Sequence, residues 1–104
     1  MTVAEILKRC KAVLEINYES QFKGLILFGS VARNQAGSSS DIDLLVLLSP
    51  PFDYFRELRK IIELIYPIQL ESDQLISAKP AAWDDFERGT IQLYRTVKRE
   101  GVAV

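Results

Sequence analysis

LILFGSVARNQAGSSSDIDLLVLL, residues 25–48, is the stretch that decides the fold. Residues 25–28 are all apolar, the pattern of a strand covered on both faces. Gly24 precedes that run and Gly29-Ser30 ends it. Ser30 can cap a short helix over about residues 31–35, and residues 35–40, with Gly37 and three serines, read as a loop. Asp41 and Asp43 then lead into a second apolar strand over residues 42–48, which Ser49-Pro50-Pro51 closes. Two buried strands, a Gly-Ser turn after the first and two carboxylates entering the second describe a site as well as a core.

Working outward, Val3, Ile6, Leu7, Cys10, Val13 and Leu14 recur at helical spacing, which predicts a helix over residues 3–18. Thr2 and Glu5 fit a capping box at its start, and Cys10 falls in its apolar stripe as a buried thiol. A second helix is expected over residues 53–65, with Phe55, Leu58, Ile61, Ile62 and Ile65 as its apolar face and Pro67 as its stop. Residues 68–77 alternate imperfectly and read as a third strand. Pro80 suits the first turn of a short helix over 80–88, with Trp83 and Phe86 in the core and Gly89 as its C-terminal cap. A last helix over 90–100 turns Ile91, Tyr94 and Val97 inward, and 102–104 can add an edge strand. The order implies an α/β (α+β) fold, a small mixed sheet flanked by helices, in one domain spanning 1–104.

Composition narrows the chemistry. The chain has 104 residues, 48% of them hydrophobic and 26% charged, with a net charge of −1, which offers no basic field for nucleic acid. Apolar runs are too short to span a bilayer. The start lacks a signal-peptide pattern and the single cysteine excludes an internal disulfide, so a cytoplasmic setting is expected. Histidine is absent, which removes Ser-His-Asp and Cys-His catalysis and histidine-based zinc sites. Metal or acid–base work must then run on carboxylates, with lysine or tyrosine as minor options, and carboxylates prefer hard cations such as magnesium.

Asp41 and Asp43 are two apart on a strand and so project from one face, with Cα atoms roughly 6–7 Å apart. Two carboxylates this close repel unless a cation lies between them. Magnesium takes one or two carboxylates together with substrate phosphates, at about 2.1 Å. Gly29 allows close backbone approach and Ser30 opens a helix whose free N–H groups favour an anion. A phosphate cradle beside a carboxylate pair points to a metal–nucleotide site.

The segment GSVARNQAGSSSDIDLLV resembles the nucleotidyltransferase signature of the DNA polymerase beta superfamily. It is most similar to the minimal nucleotidyltransferases, whose pattern is Gly-Ser, an arginine, a loop, then Ser-Asp-x-Asp-Leu; kanamycin nucleotidyltransferase shares the signature. Gly29, Ser30, Arg33, Ser40, Asp41 and Asp43 match position by position. LESDQLIS and the ending YRTVKREGVAV are similar to small members encoded beside HEPN-domain partners. The resemblance implies transfer of AMP from ATP to a hydroxyl, with two Mg2+ ions on Asp41 and Asp43 and with Gly29, Ser30, Arg33 and Ser40 at the nucleotide.

The family also uses a third carboxylate from a neighbouring strand. Ile68-Gln69-Leu70 has glutamine at that place, and Glu71 and Asp73 are the acidic candidates; similarity of LESDQLIS to the family segment favours Asp73 as third catalytic and metal-holding residue. Larger members carry an added domain for the acceptor, and nothing after residue 48 is long enough to be one. The resemblance therefore suggests the antitoxin of a HEPN/MNT toxin–antitoxin pair that modifies its protein partner, with homo-oligomerisation left open. Two rival readings stand beside it: a degenerate nucleotide-binding protein that neutralises its partner by contact, and an aminoglycoside-type adenylyltransferase.

Overall fold

In this computed structural model, residues 1–33 and 40–104 are described, so most of the expected loop over 35–40 and the end of the short helix before it lie outside the described residues. The chain begins with α1, Val3–Tyr18. The Thr2 hydroxyl accepts from the Glu5 amide at 3.2 Å while the Glu5 carboxylate reaches back to the Thr2 N–H, so the capping box is formed. One 3-10 turn leads into β1, Phe22–Phe28, which runs directly into α2, Gly29–Ala32. Then come β2, Ile42–Leu48, and α3, Tyr54–Leu70. The remainder is β3, Ile76–Ala82; α4, Trp83–Arg88; α5, Gln92–Glu100; and β4, Val102–Ala103.

The sheet has the order β3-β2-β1-β4. β1 is antiparallel to both β2 and β4, and β2 is parallel to β3, so the sheet is mixed as expected. β2 is central, and all of Leu44 to Leu48 are buried. Ile42, Leu44, Val46 and Leu48 face a core shared with Ile6, Cys10 and Leu14 of α1 and Ile61, Ile65 and Ile68 of α3. On the other face Leu45 and Leu47 meet Ala81, Phe86 and Val97, brought by β3, α4 and α5. Burial pushes the Cys10 thiol up to about 11, which keeps it a protonated, inert core group. No helix among the described residues is long and apolar enough to cross a membrane.

The middle of the chain departs from the sequence expectations. Pro67 does not stop α3; it lies inside the helix, exposed, and the helix continues to Leu70. Proline removes one N–H there, and the freed carbonyl side is the wet one, while buried Ile65 and Ile68 hold the turn against the sheet. Phe55 and Ile62 are 73% and 55% exposed, so the buried stripe of α3 is Ile61, Ile65 and Ile68. The third strand is 76–82 and not 68–77, which puts Pro80 in β3 and not in a helix. Leu75 C=O accepts from the Ile42 N–H at 2.8 Å, so alternate residues from Leu75 onward turn their backbones to β2 and Pro80 turns its own to the open edge, where no N–H is needed. Trp83 and Ile91 are largely exposed, while Phe86 and Val97 fill the core. Gly89 caps α4 in the left-handed region, at φ 64°.

Candidate functional site

The site grows from the register of β1 on β2. Phe28 stands opposite Asp43, so the Gly29 that follows lies beside the Asp43 side chain. Gly29 has φ 77°, in the region that favours glycine. A Cβ there would run into Asp43 Oδ2 and lie 3.2 Å from its Cγ. The strand-to-helix turn and the carboxylate are thus packed on each other. The space that glycine leaves is taken by the chain's own carboxylate, a contact the residue pattern alone did not disclose.

Buried Ile42 fixes the direction of its neighbours. With Ile42 fully enclosed on the α1–α3 side, Asp43 points to the opposite face, half-buried, and exposed Asp41 precedes it at the mouth. The Asp43 carboxyl is raised above its usual range by burial first and by the Asp41 charge second, while Lys79 and Arg33 pull it back. Two crowded oxygen donors with a disfavoured negative charge are the chemistry a hard cation relieves. The donor set therefore fits one magnesium ion shared with phosphate oxygens. Arg33 follows α2 and lies 3.8 Å from Glu100 of α5. Ser40 offers its C=O to Gln74 Nε2 at 2.9 Å.

The third carboxylate is not on a strand. Gln69 belongs to α3, Glu71 is that helix's C-cap, and Asp73 lies in the turn before β3. The shared strand parity expected for the three does not exist. Glu71 pairs with Arg9 of α1 at 2.9 Å, and exposed Asp73 is not brought into a group with Asp41 and Asp43: among the described residues no three Asp, Glu or Cys side chains come together to hold a metal.

The Gln69 side chain is engaged by the sheet edge. Its Oε1 accepts from the Ile76 N–H at 2.7 Å and its Nε2 donates to the Gln74 C=O at 3.0 Å. The side-chain amide pairs the start of β3 as a strand would, and so covers part of the sheet's open edge. The positions of β3 that share a face with Asp43 are Ser77, its direct partner, and Lys79 two residues on. Sequence reasoning missed both, because placing them requires the β2–β3 register.

Residues 6–98 match the family described as nucleotidyltransferase domain. A Methanocaldococcus jannaschii protein that carries the name protein adenylyltransferase is 32% identical over 83 residues, covering 76% of this chain and 83% of its own. A solved minimal nucleotidyltransferase is similar with a TM-score of 0.59 at 25% identity, over 100% of this chain and 97% of that one. A chain from the toxin–antitoxin complex MntA–HpeT, in a mutant form, gives 0.61 at 20% identity, over 100% and 72%; this likeness concerns the fold.

Proposed function

The chain belongs to the nucleotidyltransferase domain family, and from that premise we propose that it moves AMP from ATP onto a hydroxyl of a partner protein. The observation that carries the reading is the packing of Gly29 on Asp43, which joins the turn after β1 and the carboxylate pair of β2 into one place. The M. jannaschii relative's name supports a protein as acceptor. The MntA–HpeT likeness concerns a fold used in a toxin–antitoxin pair, and the antitoxin role with a HEPN-domain partner is proposed on the sequence resemblance.

Asp41 and Asp43 would hold Mg2+, which when bound neutralises triphosphate charge and favours ionisation of the attacking hydroxyl. The rest is positioning by the chain itself. Asp43 lies against the open Cβ space of Gly29 and beside Ser77 of β3, which limits the directions its carboxylate can take. Gly29 and Ser30, at the start of α2, would offer backbone N–H groups to phosphate, and Arg33, which follows that helix, and Ser40 would act as further donors. The acceptor hydroxyl gives up its proton to water, its oxygen attacks the α-phosphorus, the bond to the bridging oxygen breaks, and pyrophosphate leaves with that electron pair. No third acid joins the pair among the described residues, which favours a second reading: nucleotide binding with neutralisation of the partner by contact alone.

The test is transfer of label from α-labelled ATP, with magnesium, to a co-purifying or neighbouring-gene partner protein. Label on the partner with wild type and none with Asp41→Asn/Asp43→Asn is expected. Calorimetry with a non-hydrolysable ATP analogue separates the alternatives. Binding without transfer to a partner that is nonetheless neutralised selects the second reading, and absence of magnesium-dependent binding overturns both.

A further inference from the structure

Parallel pairing of β2 with β3 sets Ser77 against Asp43 and Lys79 against Leu45. Side chains two apart on a strand share a face, so Asp43, Ser77 and Lys79 open on the same side of the sheet. Deeper on that side Leu45, Leu47 and Ala81 are closed over by Phe86 and Val97. The site is the uncovered end of this face. Strand spacing and rise put the Cα atoms of Lys79 and Asp43 about 8 Å apart, within reach of a lysine's four-carbon stem. Lys79 is exposed, and among the described residues it makes no ion pair, yet its charge acts on Asp43.

Charge decides what such a cluster can hold. Asp41, Asp43 and Lys79 together carry one net negative charge, and the Arg33 charge, which also acts on Asp43, offsets that one. Two divalent cations at the usual separation of about 3.5–4 Å need several carboxylates between and around them. Among the described residues only two are gathered here, and the neighbouring strand brings an ammonium to the same face. One divalent ion on the aspartates, with the Lys79 ammonium on the same face and Arg33 after α2, gives the triphosphate its cationic partners without a second metal.

Resting on the nucleotide-transfer reading above, we propose that Lys79 is a triphosphate-binding residue that takes the place of a second metal ion, so that the chain binds one divalent cation per nucleotide. Such a lysine contributes charge but no open coordination position. It holds the triphosphate and does not activate the acceptor.

Equilibrium dialysis with Mn2+ and a non-hydrolysable ATP analogue tests this without turnover. The expected ratio is one Mn2+ per bound analogue in the wild type. Lys79→Gln should weaken analogue binding about tenfold, the loss of one charge-assisted contact, and Lys79→Arg should keep most of the affinity. A ratio of two, wild-type affinity in Lys79→Gln, or equal losses in Lys79→Gln and Lys79→Arg overturns the inference while analogue binding that is lost in Asp41→Asn/Asp43→Asn leaves the nucleotide site standing. No bound analogue at all overturns the site reading and this inference with it.

Discussion

Two acidic triplets, Asp41-Ile42-Asp43 and Glu71-Ser72-Asp73, sit at the same end of the sheet, since the turn carrying the second leads to Leu75, whose C=O accepts from the Ile42 N–H. In sequence they are nearly alike. In the structure their middle residues part them. Ile42 is a fully buried strand residue, so Asp43 is turned to the opposite face, and the charge of Asp41, just before the strand, acts on it. Ser72 is a turn residue whose hydroxyl donates to the Gln74 C=O and accepts from the Gln74 N–H, and its neighbours are left exposed at the surface. Carboxylate spacing becomes a candidate site only when the apolar residue between the two acids is anchored in a strand.

Neutralising each triplet gives the largest expected contrast. Asp41→Asn/Asp43→Asn should lower magnesium-dependent affinity for an ATP analogue by about a hundredfold or more, because the charge that holds the metal is removed. Glu71→Gln/Asp73→Asn should stay within about threefold of wild type and cost at most about 1 kcal/mol, the value of an exposed pair such as Arg9–Glu71. A comparable fall in both double mutants would show that the turn after α3 reaches the nucleotide and would dissolve the contrast.

The first triplet was legible in sequence because each signal was local. Leu25 to Phe28, the Gly29-Ser30 turn and the run from Ile42 each state their own element, and β1 and β2 pair as neighbours. Residues 66–82 gave misleading signals for physical reasons. Pro67 ordinarily ends a helix, but here its side faces water and Ile68 is still buried beyond it. β3 reads Ile-Ser-Ala-Lys-Pro-Ala-Ala, short of β-branched residues, and it is a strand because β2 pairs along its whole length. Asp43, Ser77 and Lys79 share a face only through that pairing. The candidate site was therefore half visible: the residues of one strand and its turn, but not those supplied across the ladder.

Gln69 sharpens the comparison at intermediate size. Its amide holds the Ile76 N–H and the Gln74 C=O at once. Gln69→Leu takes the partner from the Ile76 N–H, while the Gln74 C=O keeps the Ser72 hydroxyl, and should cost about 1–3 kcal/mol in urea unfolding. Gln69→Glu keeps the acceptor for Ile76 and should cost less. Neither change should alter metal dependence, since the side chain is spent on the sheet edge. Tighter Mn2+ binding in Gln69→Glu would instead place this position at the metal.

The smallest effect is the pH dependence of Asp43 in the metal-free protein. Burial and the Asp41 charge raise its carboxyl above the usual range, so the folded chain holds that proton more tightly than the unfolded chain does. Above both values the ionised group works against folding, and below both the penalty vanishes. Asp43→Asn, of nearly the same shape, should therefore raise the thermal midpoint at neutral pH. The gain should shrink as pH falls through the carboxylate range and be gone by about pH 3, where folded and unfolded forms are both protonated. Added Mg2+ at neutral pH should raise the wild-type midpoint and leave Asp43→Asn almost unmoved, which reverses the order of the two proteins. The corresponding change in the other triplet, Asp73→Asn, should show neither the gain nor the reversal. A lower midpoint for Asp43→Asn at neutral pH without metal would mean that the carboxylate's favourable contacts with Lys79 and Arg33 outweigh its crowding against Asp41.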